Sequence, residues 1–451
     1  MNTRSQAKII SYNFDNNIIC ASAARISTTE GDANFILEKS RNNSANDALI
    51  KKVLQSGHRS IIEHAVFNIS LCNVSAFVEQ YFIEFRLASF TVKSRRYVNF
   101  SNQGYYIPSD LAGTDIQQYC QYMDSLFEAY HSLLNVGIPK EDARFLLPYS
   151  FCSNFYCTIN ARELINLIRS IKFGRGKKIP ELCSLADQII EQITHIFPCI
   201  LDELISSQSE TERVLDIVND IDNTAPIFLS ESDMGYVKML NFPNNPESIL
   251  DIALKTLYPW TEEKQVEISK IVVSERPRVL EQLNYTFMVS NVSLSGITHL
   301  ARHRMQSIII PSIKSLKHIK YTVPKTIEDN CEAFSIYQEA ITEINKIYRL
   351  MKKSESLNKY IYYYALSGNV MDIMTTMNAR ELLLFIKLRS CNRAQWEVRN
   401  ISNQILEILR NHFPKLYNCY GPSCFINGKC PEGEKTCGRM ENTIKHFNRN
   451  S

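Results

Sequence analysis

Nowhere in the 451 residues is there an uninterrupted apolar run long enough to cross a bilayer, which takes about twenty residues in a helix. The opening, Met1-Asn2-Thr3-Arg4-Ser5, leads into Asn- and Asp-broken sequence without the apolar core of an export signal. A cytoplasmic protein is therefore expected. An excess of either charge is missing too. Fifty Lys and Arg against 47 Asp and Glu leave +3, too little to draw the chain to nucleic acid or a membrane surface. An anionic ligand must then be held by a local cluster. Short C-x-x-C pairs are absent, and the thirteen cysteines are an odd number scattered along the chain. They read as reduced thiols rather than a disulfide framework. What is present, 45% hydrophobic and 22% charged residues, is ordinary globular material, enough for two or three domains with their own cores.

The sequence repeats itself. Asn160-Ala-Arg-Glu-Leu164 returns as Asn378-Ala-Arg-Glu-Leu382, 218 residues on (378 less 160). The same offset pairs Arg86-x-x-Ser89 with Arg304-x-x-Ser307 and Ser94 with Ser312. Phe67, Ile69 and Leu71 alternate with polar residues as in a half-buried strand, and Tyr285, Phe287 and Val289 do so at that offset. Tyr106-Ile-Pro108 returns as Thr322-Val-Pro324, two residues short of it. Landmarks kept in one order mark a duplication. Both copies end in amphipathic helices, Leu185 to Phe197 and Val398 to Phe413, each closed by proline. The expected organisation is an α/β unit used twice: a first copy over 1–205, a polar connection over 206–245 containing Asp216, Asp220 and Asp222, a second copy over 246–418, and a Cys-rich tail over 419–451.

Several residues suggest chemistry on their own terms. Arg302-His303-Arg304 packs up to three positive charges and at least six N–H donors into a short span, which suits a pyrophosphate or another anion. A basic helix end meeting its own dipole is the plain alternative. Asn160 and Asn378 fit helix N-caps, with Glu163 and Glu381 placed to reach back from the third helical position. In the first copy Leu164, Leu167, Ile168 and Ile171 form a core stripe, whereas the second reads Leu382, Phe385, Ile386 and then Arg389. A guanidinium on that stripe needs an acceptor, a carboxylate or a ligand, unless it snorkels from the helix end. Taken alone, Arg96 beside Arg95 reads as a solvated basic face, and His58 as a buried, satisfied histidine.

The first copy supplies Ala23-Ala-Arg-Ile-Ser27, Gly57-His58, Glu63-His64, Arg86-x-x-Ser89, Ser94-x-Arg96-Tyr97 and Tyr105-Tyr-Ile-Pro108. The second adds Arg302-His303-Arg304, Asn378-Ala-Arg-Glu-Leu382 and Ala394-Gln-Trp-Glu-Val-Arg399. In this order the set resembles the flavin-dependent thymidylate synthases, the ThyX family, over nearly the whole chain. The resemblance implies two tandem domains of α+β type, each a twisted, mostly antiparallel sheet packed with helices. It implies FAD contacts from His58, Ser60, Asn160, Arg162, Asn166, Arg302, His303, Arg304, Asn378 and Arg380. It implies contacts to dUMP from Gln80, Ser94, Arg96, Arg144, Ser312 and Arg389. Arg389 is implied to be catalytic, favouring the N3-deprotonated uracil and so activating C5 without a cysteine nucleophile. NADPH and methylenetetrahydrofolate are the implied co-substrates.

Each copy departs from the family pattern at different places. The first has Glu84-Phe85-Arg86 for the triplet and Ile171 where Arg389 stands in the second. The second has Gln282 for His64, Ile309-Ile310 for the family's Asn-Glu, Lys314 for Arg96, Ser315 for Tyr97 and Tyr362 for Arg144. ThyX tetramers draw each site from several subunits. The expectation is thus a composite site, with Ser94, Arg96 and Arg144 from copy one and the triplet with Arg389 from copy two, in a homodimer that forms a pseudo-tetramer. Its partner is a small-molecule nucleotide, not nucleic acid or a membrane. In the tail, Cys424, Cys430 and Cys437 lie in Gly- and Pro-rich sequence with few apolar residues, and Cys391 follows Arg389 by two. Four thiolates suit a structural zinc, with Cys419 as a substitute ligand, and free thiols or an iron–sulfur cluster as the alternatives. Three functions compete: thymidylate synthesis, a divergent flavoenzyme acting on another pyrimidine nucleotide, and a non-catalytic nucleotide-binding protein.

Overall fold

The computed structural model describes residues 4–206, 225–259, 268–313, 319–353 and 357–448. Asp216, Asp220, Asp222, Lys314 and Ser315, singled out above, lie outside the described residues. The chain forms two compact units, Met1–Asp220 with Ser335–Leu366, and Ile221–Phe334 with Ser367–Ser451.

The first unit holds strands β1 (Gln6–Tyr12), β2 (Val66–Ser75), β3 (Ser89–Val92) and β4 (Cys152–Asn160), paired antiparallel in the order β1-β2-β4-β3. The second holds β5 (Ile227–Leu229), β6 (Tyr236–Asn241), β7 (Asn284–Ser293), β8 (Gln306–Ile309), β9 (Lys320–Thr322) and β10 (Val370–Asn378). There β6-β7-β10-β8 repeat the antiparallel sheet, and β5 pairs with β9 in parallel. The mixed α/β fold with antiparallel sheets is the one the resemblance implied. The stretch expected to be a connection, 206–245, contributes β5 and β6 to the second unit.

Alternation decides which face of each sheet is buried. Phe67, Ile69 and Leu71 of β2, and Tyr285, Phe287 and Val289 of β7, are all in the core. Both strands bend at the same place. Asn73 and Asn291 adopt positive φ, 53° and 56°, which asparagine tolerates better than most residues with a side chain. Their N–H groups donate to side-chain oxygens of Asn154 at 3.0 Å and Asp372 at 2.8 Å.

A helix follows each bend, α1 (Ala76–Ile83) in the first unit and α5 (Leu294–Leu300) in the second; the other helices used below are α2 (Gly113–Asn135), α3 (Ala161–Phe173), α4 (Pro180–Ile196), α6 (Cys331–Lys353), α7 (Ala379–Arg389) and α8 (Trp396–His412). Ser75 and Ser293 cap α1 and α5, accepting from the N–H groups of Val78 at 3.2 Å and Gly296 at 2.9 Å. A buried carboxylate fixes each cap: Glu181 of α4 accepts from the Ser75 N–H at 2.8 Å, and Glu397 of α8 from the Ser293 N–H at 2.6 Å. At Gly296 an added Cβ would sit 2.8 Å from the Glu397 carboxylate, which would have to shift.

Asn160 and Asn378 cap α3 and α7 as expected, taking the N–H groups of Glu163 at 2.9 Å and Glu381 at 2.8 Å. Each glutamate meets a side-chain donor rather than the reciprocal backbone N–H. Glu163 accepts from Asn166 at 3.0 Å, and Glu381 lies 2.9 Å from His303 Nδ1. Beneath the caps, Leu164, Leu167, Ile168 and Ile171, and likewise Leu382, Phe385 and Ile386, are buried. Each such side chain contributes about 1.5–3 kcal/mol of burial. No described helix is long and apolar enough to cross a membrane.

Candidate active site

In the second unit the residues Glu381, Phe385 and Arg389 stand four apart on α7 and therefore share one face. His303, 5% exposed, packs along that face, its ring edge-on to Phe385 at 5.0 Å. Arg389 donates from Nε to His303 Nε2 at 3.0 Å and from Nη2 to the His299 carbonyl at 3.3 Å. Two acceptors of the half-buried guanidinium are thus an imidazole nitrogen and a carbonyl. Arginine N–H groups only donate, so Nε2 carries no proton and the neutral ring bears its hydrogen on Nδ1, donating to Glu381. Burial lowers the His303 pKa below the ordinary 6.5 and the Arg389 charge pushes the same way, against the pull of Glu381. Near neutral pH the triplet accordingly carries two charges, not three. Arg302 and Arg304 are exposed while His303 turns inward.

Beside this network lies a cavity of about 430 Å³ lined by Asn378, Arg380, Glu381, Met305, Leu384 and Lys387 among others. That is within the usual span for ligand pockets, about 300–1,000 Å³. Arg380 pairs with Glu281 in its wall. The first unit repeats the pair as Arg162 with Glu63 at 2.6 Å. Lys387 donates to the Val272 carbonyl at 3.2 Å, and burial lowers its pKa from the usual 10.5. Sequence reasoning missed Glu281 and Lys387, and named Glu63 without its partner. The shared offset of Glu63 and Glu281 was the available signal for the first. A larger groove of about 600 Å³, lined largely by apolar residues such as Ile249, Ile252 and Leu257, contains none of the expected site residues.

The first unit places its candidates differently. Arg96 donates to Glu141 at 2.5 Å and its N–H meets Ser94 Oγ at 3.3 Å. Glu141 belongs to the short helix Lys140–Ala143 that leads directly into Arg144, which is 2% exposed. Ser94, Arg96 and the Arg144 segment are therefore brought together, whereas Arg95 is buried against Glu79 at 2.6 Å. Gln80 is buried and accepts from the Tyr149 hydroxyl at 2.7 Å. His58 and Ser60 are exposed, so His58 is not the buried histidine of the plain reading, and Ser312 is exposed as well. Where the second unit has its triplet, Glu84 pairs with Arg175 at 2.5 Å, and Arg175 lies over the Tyr81 ring at 4.5 Å.

The tail is ordered by burial and hydrogen bonding, against the expectation that it lacked the means. Arg410 donates to the carbonyls of Tyr417, Asn418, Tyr420 and Phe447, and the Phe447 ring, 7% exposed, lies 6.1 Å from that of Phe425. Burial raises the Cys391 thiol, and nearby Cys437, Glu432 and Cys430 add to the rise. Burial likewise raises Cys424, with Cys391 and Cys430 contributing. Cys419 instead bonds the Leu416 carbonyl at 3.4 Å, its thiol pushed up to about 11. Although Cys391, Cys424, Cys430 and Cys437 gather, among the described residues no group of three or more His, Cys, Asp or Glu is arranged to hold a metal ion. The zinc expectation therefore finds no assembled ligand set.

Two copies of one sheet-and-helix unit, one of them joining a basic triplet to a helix-borne arginine beside a cavity, define a tandem α/β protein. The pattern that defines the thymidylate synthase complementing protein family matches residues 8–199 and again 238–415, and the chain belongs to this family. It is 32% identical over 240 residues to a flavin-dependent thymidylate synthase of Clostridium tetani, covering 47% of this chain and 96% of that one. It is 25% identical over 442 residues to a UPF0159 protein of Thermoplasma acidophilum, covering 80% of this chain and 86% of that one. Among solved structures, the UMP/dUMP methylase PolB of Streptomyces cacaoi bound with 5-Br dUMP aligns at 21% identity and a TM-score of 0.38, over 45% of this chain and 94% of that one.

Proposed function

We propose that the protein is a flavin-dependent thymidylate synthase-type enzyme that methylates dUMP reductively at C5, using methylenetetrahydrofolate and NADPH. The observation that carries this reading is the bond from Arg389 to the triplet histidine beside the cavity. The donor set fits FAD. In the cavity wall, shared with Glu275, Glu281 and Glu381, Arg380 offers a cationic edge to phosphate oxygens in exchange for Glu281, Asn378 and Lys387 offer polar edges, and Met305 and Leu384 offer apolar surface to a ring, while the exposed Arg302 and Arg304 add donors outside the wall. A bound flavin supplies the reducing equivalents for the reaction. Each unit contributes chemistry of its own: in the first, Ser94, Arg96 and Arg144 suit a nucleotide phosphate, and in the second the positive charge of Arg389 favours the N3-deprotonated uracil. Flavin absorbance in the purified protein, together with growth of a thymidine auxotroph carrying it, tests the reading.

A second reading has one observation behind it. The second copy has Ile309-Ile310 where the family pattern has Asn-Glu, so the nucleotide bound need not be dUMP. Retained flavin without rescue of the auxotroph selects this divergent activity, and absence of both leaves nucleotide binding alone. Two chains in one particle would give the four units of the tetrameric family, and light scattering near twice 52.0 kDa checks it.

The two copies are expected to differ in cofactor retention. Arg302→Ala should weaken FAD affinity about tenfold, the worth of one charge-assisted contact, as read by flavin loss on dialysis. Glu84→Ala removes the pair with Arg175 and should leave retention unchanged. Equal losses would contradict the assignment of the flavin to the second copy.

A further inference from the structure

We propose that Glu381 and His303 are positioning residues for Arg389: the Glu381 carboxylate holds the imidazole as its Nδ1–H tautomer, and Nε2 accepts from Arg389 Nε and fixes the guanidinium for an anionic nucleotide. This rests on the reading that Arg389 serves nucleotide binding. The geometry is a chain of two hydrogen bonds, 2.9 Å from Glu381 Oε1 to Nδ1 and 3.0 Å from Nε2 to Arg389 Nε. All three side chains are held. Glu381 is 4% exposed and its N–H is bonded by the Asn378 cap, His303 is 5% exposed against Phe385, and a second N–H of Arg389 is anchored on the His299 carbonyl.

The order of the chain is what gives it a function. A long arginine side chain loses much rotamer entropy when it grips a ligand, and a planar guanidinium already pinned at one edge loses less, because it is preorganised. The imidazole can do this only while neutral. Protonated, it would present N–H to N–H at Arg389, two donors face to face. Of the charged groups facing the ring, Arg389 and burial disfavour the imidazolium and Glu381 favours it, with the net effect a lowered pKa. The relay is therefore intact at neutral pH and is lost as the pH falls below the ordinary histidine range.

The first copy serves as an internal control. At the same offset it has Phe85 for His303 and Ile171 for Arg389, and its Glu163 turns to Asn166 at 3.0 Å. The glutamate is kept while its partner changes, so helix capping explains its backbone role and not the link to the triplet. It also shows that this fold accommodates phenylalanine at the histidine position, Phe85 being followed by the same strand as in the second copy.

Two measurements test the proposal. Nitrogen-15 NMR of histidine-labelled protein, with the His303 signals assigned by their loss in His303→Gln, should show a neutral Nδ1–H ring at pH 7. An Nε2–H ring or an imidazolium there overturns the proposal, whatever the protein binds. Calorimetric titration with dUMP is the second. His303→Phe and Glu381→Ala should each weaken binding about tenfold, whereas His303→Gln, whose amide can donate to Glu381 and accept from Arg389, should stay within about threefold of the wild type. The ratio of wild-type to His303→Gln affinity should fall with acidification, a ratio in which protonation of the nucleotide's own phosphate cancels. Wild-type affinity in all variants, or a glutamine variant as weak as the phenylalanine one, overturns it. No dUMP binding by the wild type while the tautomer is as stated rejects the functional reading and leaves the hydrogen-bonded relay standing.

Discussion

Arg389→Ala is expected to reduce thymidylate formation by about 10²–10³-fold, the loss that follows removal of one positioned donor from an active site, while flavin stays bound. The helix should survive the change. Its buried stripe of Leu382, Phe385 and Ile386 is untouched, and alanine is the best helix former. What disappears is a positive charge whose contacts, His303 Nε2 and the His299 carbonyl, lie apart from Asn378 and Arg380 in the cavity wall. Arg389→Lys keeps the charge and loses the planar fork, so it should recover only part of the rate. Steady-state turnover beside the flavin absorbance of the same preparation reads both effects. Full activity in the alanine variant would remove Arg389 from the mechanism.

Features set by local periodicity were legible before the structure. The alternation in β2 and β7, the asparagine caps of α3 and α7 and the duplication all follow from spacings of a few residues or one fixed offset. Arg389 was legible as an anomaly, a charge on an apolar stripe. Its acceptor was not, because the sequence assigned His303 to a ligand and gave no reason for the ring to turn inward. The carboxylate partners were hidden for a similar reason. Glu141 lies 45 residues from Arg96, and Glu281 lies 99 from Arg380, distances that only the closed fold brings to contact. The roles of Arg95 and Arg96 could not be told apart either. One is buried and the other half-exposed, a difference set by where β3 ends. The tail misled because its order comes from hydrogen bonds to residues before it, among them Arg410 to the Phe447 carbonyl, Arg393 to the Lys435 carbonyl and Ser423 to the Lys387 carbonyl, which leave no mark in local composition.

That buried Arg95 leads to the largest stability effect. Glu79, fully buried on α1, accepts from Arg95 Nη2 at 2.6 Å with one oxygen and from the Ser153 hydroxyl at 2.5 Å with the other. The guanidinium lies 4.9 Å over the Phe151 ring. Glu79→Ala leaves that cation buried without its carboxylate and should destabilise the first unit by about 3–5 kcal/mol, since removing one partner of a buried pair is far more harmful than removing both. The melting midpoint should fall by about 10 °C. The second copy shows what removing both looks like. At the positions 218 on, Ile297 and Ile313 stand for Glu79 and Arg95, both buried. The double change Glu79→Ile with Arg95→Ile should therefore recover most of the loss and come out near the wild type, because two apolar side chains ask for no desolvation and no exact hydrogen-bond geometry. Denaturant titration of Glu79→Ile, Arg95→Ile and the double variant closes the cycle. A double variant no more stable than Glu79→Ala would mean that the Ser153 hydroxyl and the Phe151 ring, which remain, require the ion pair.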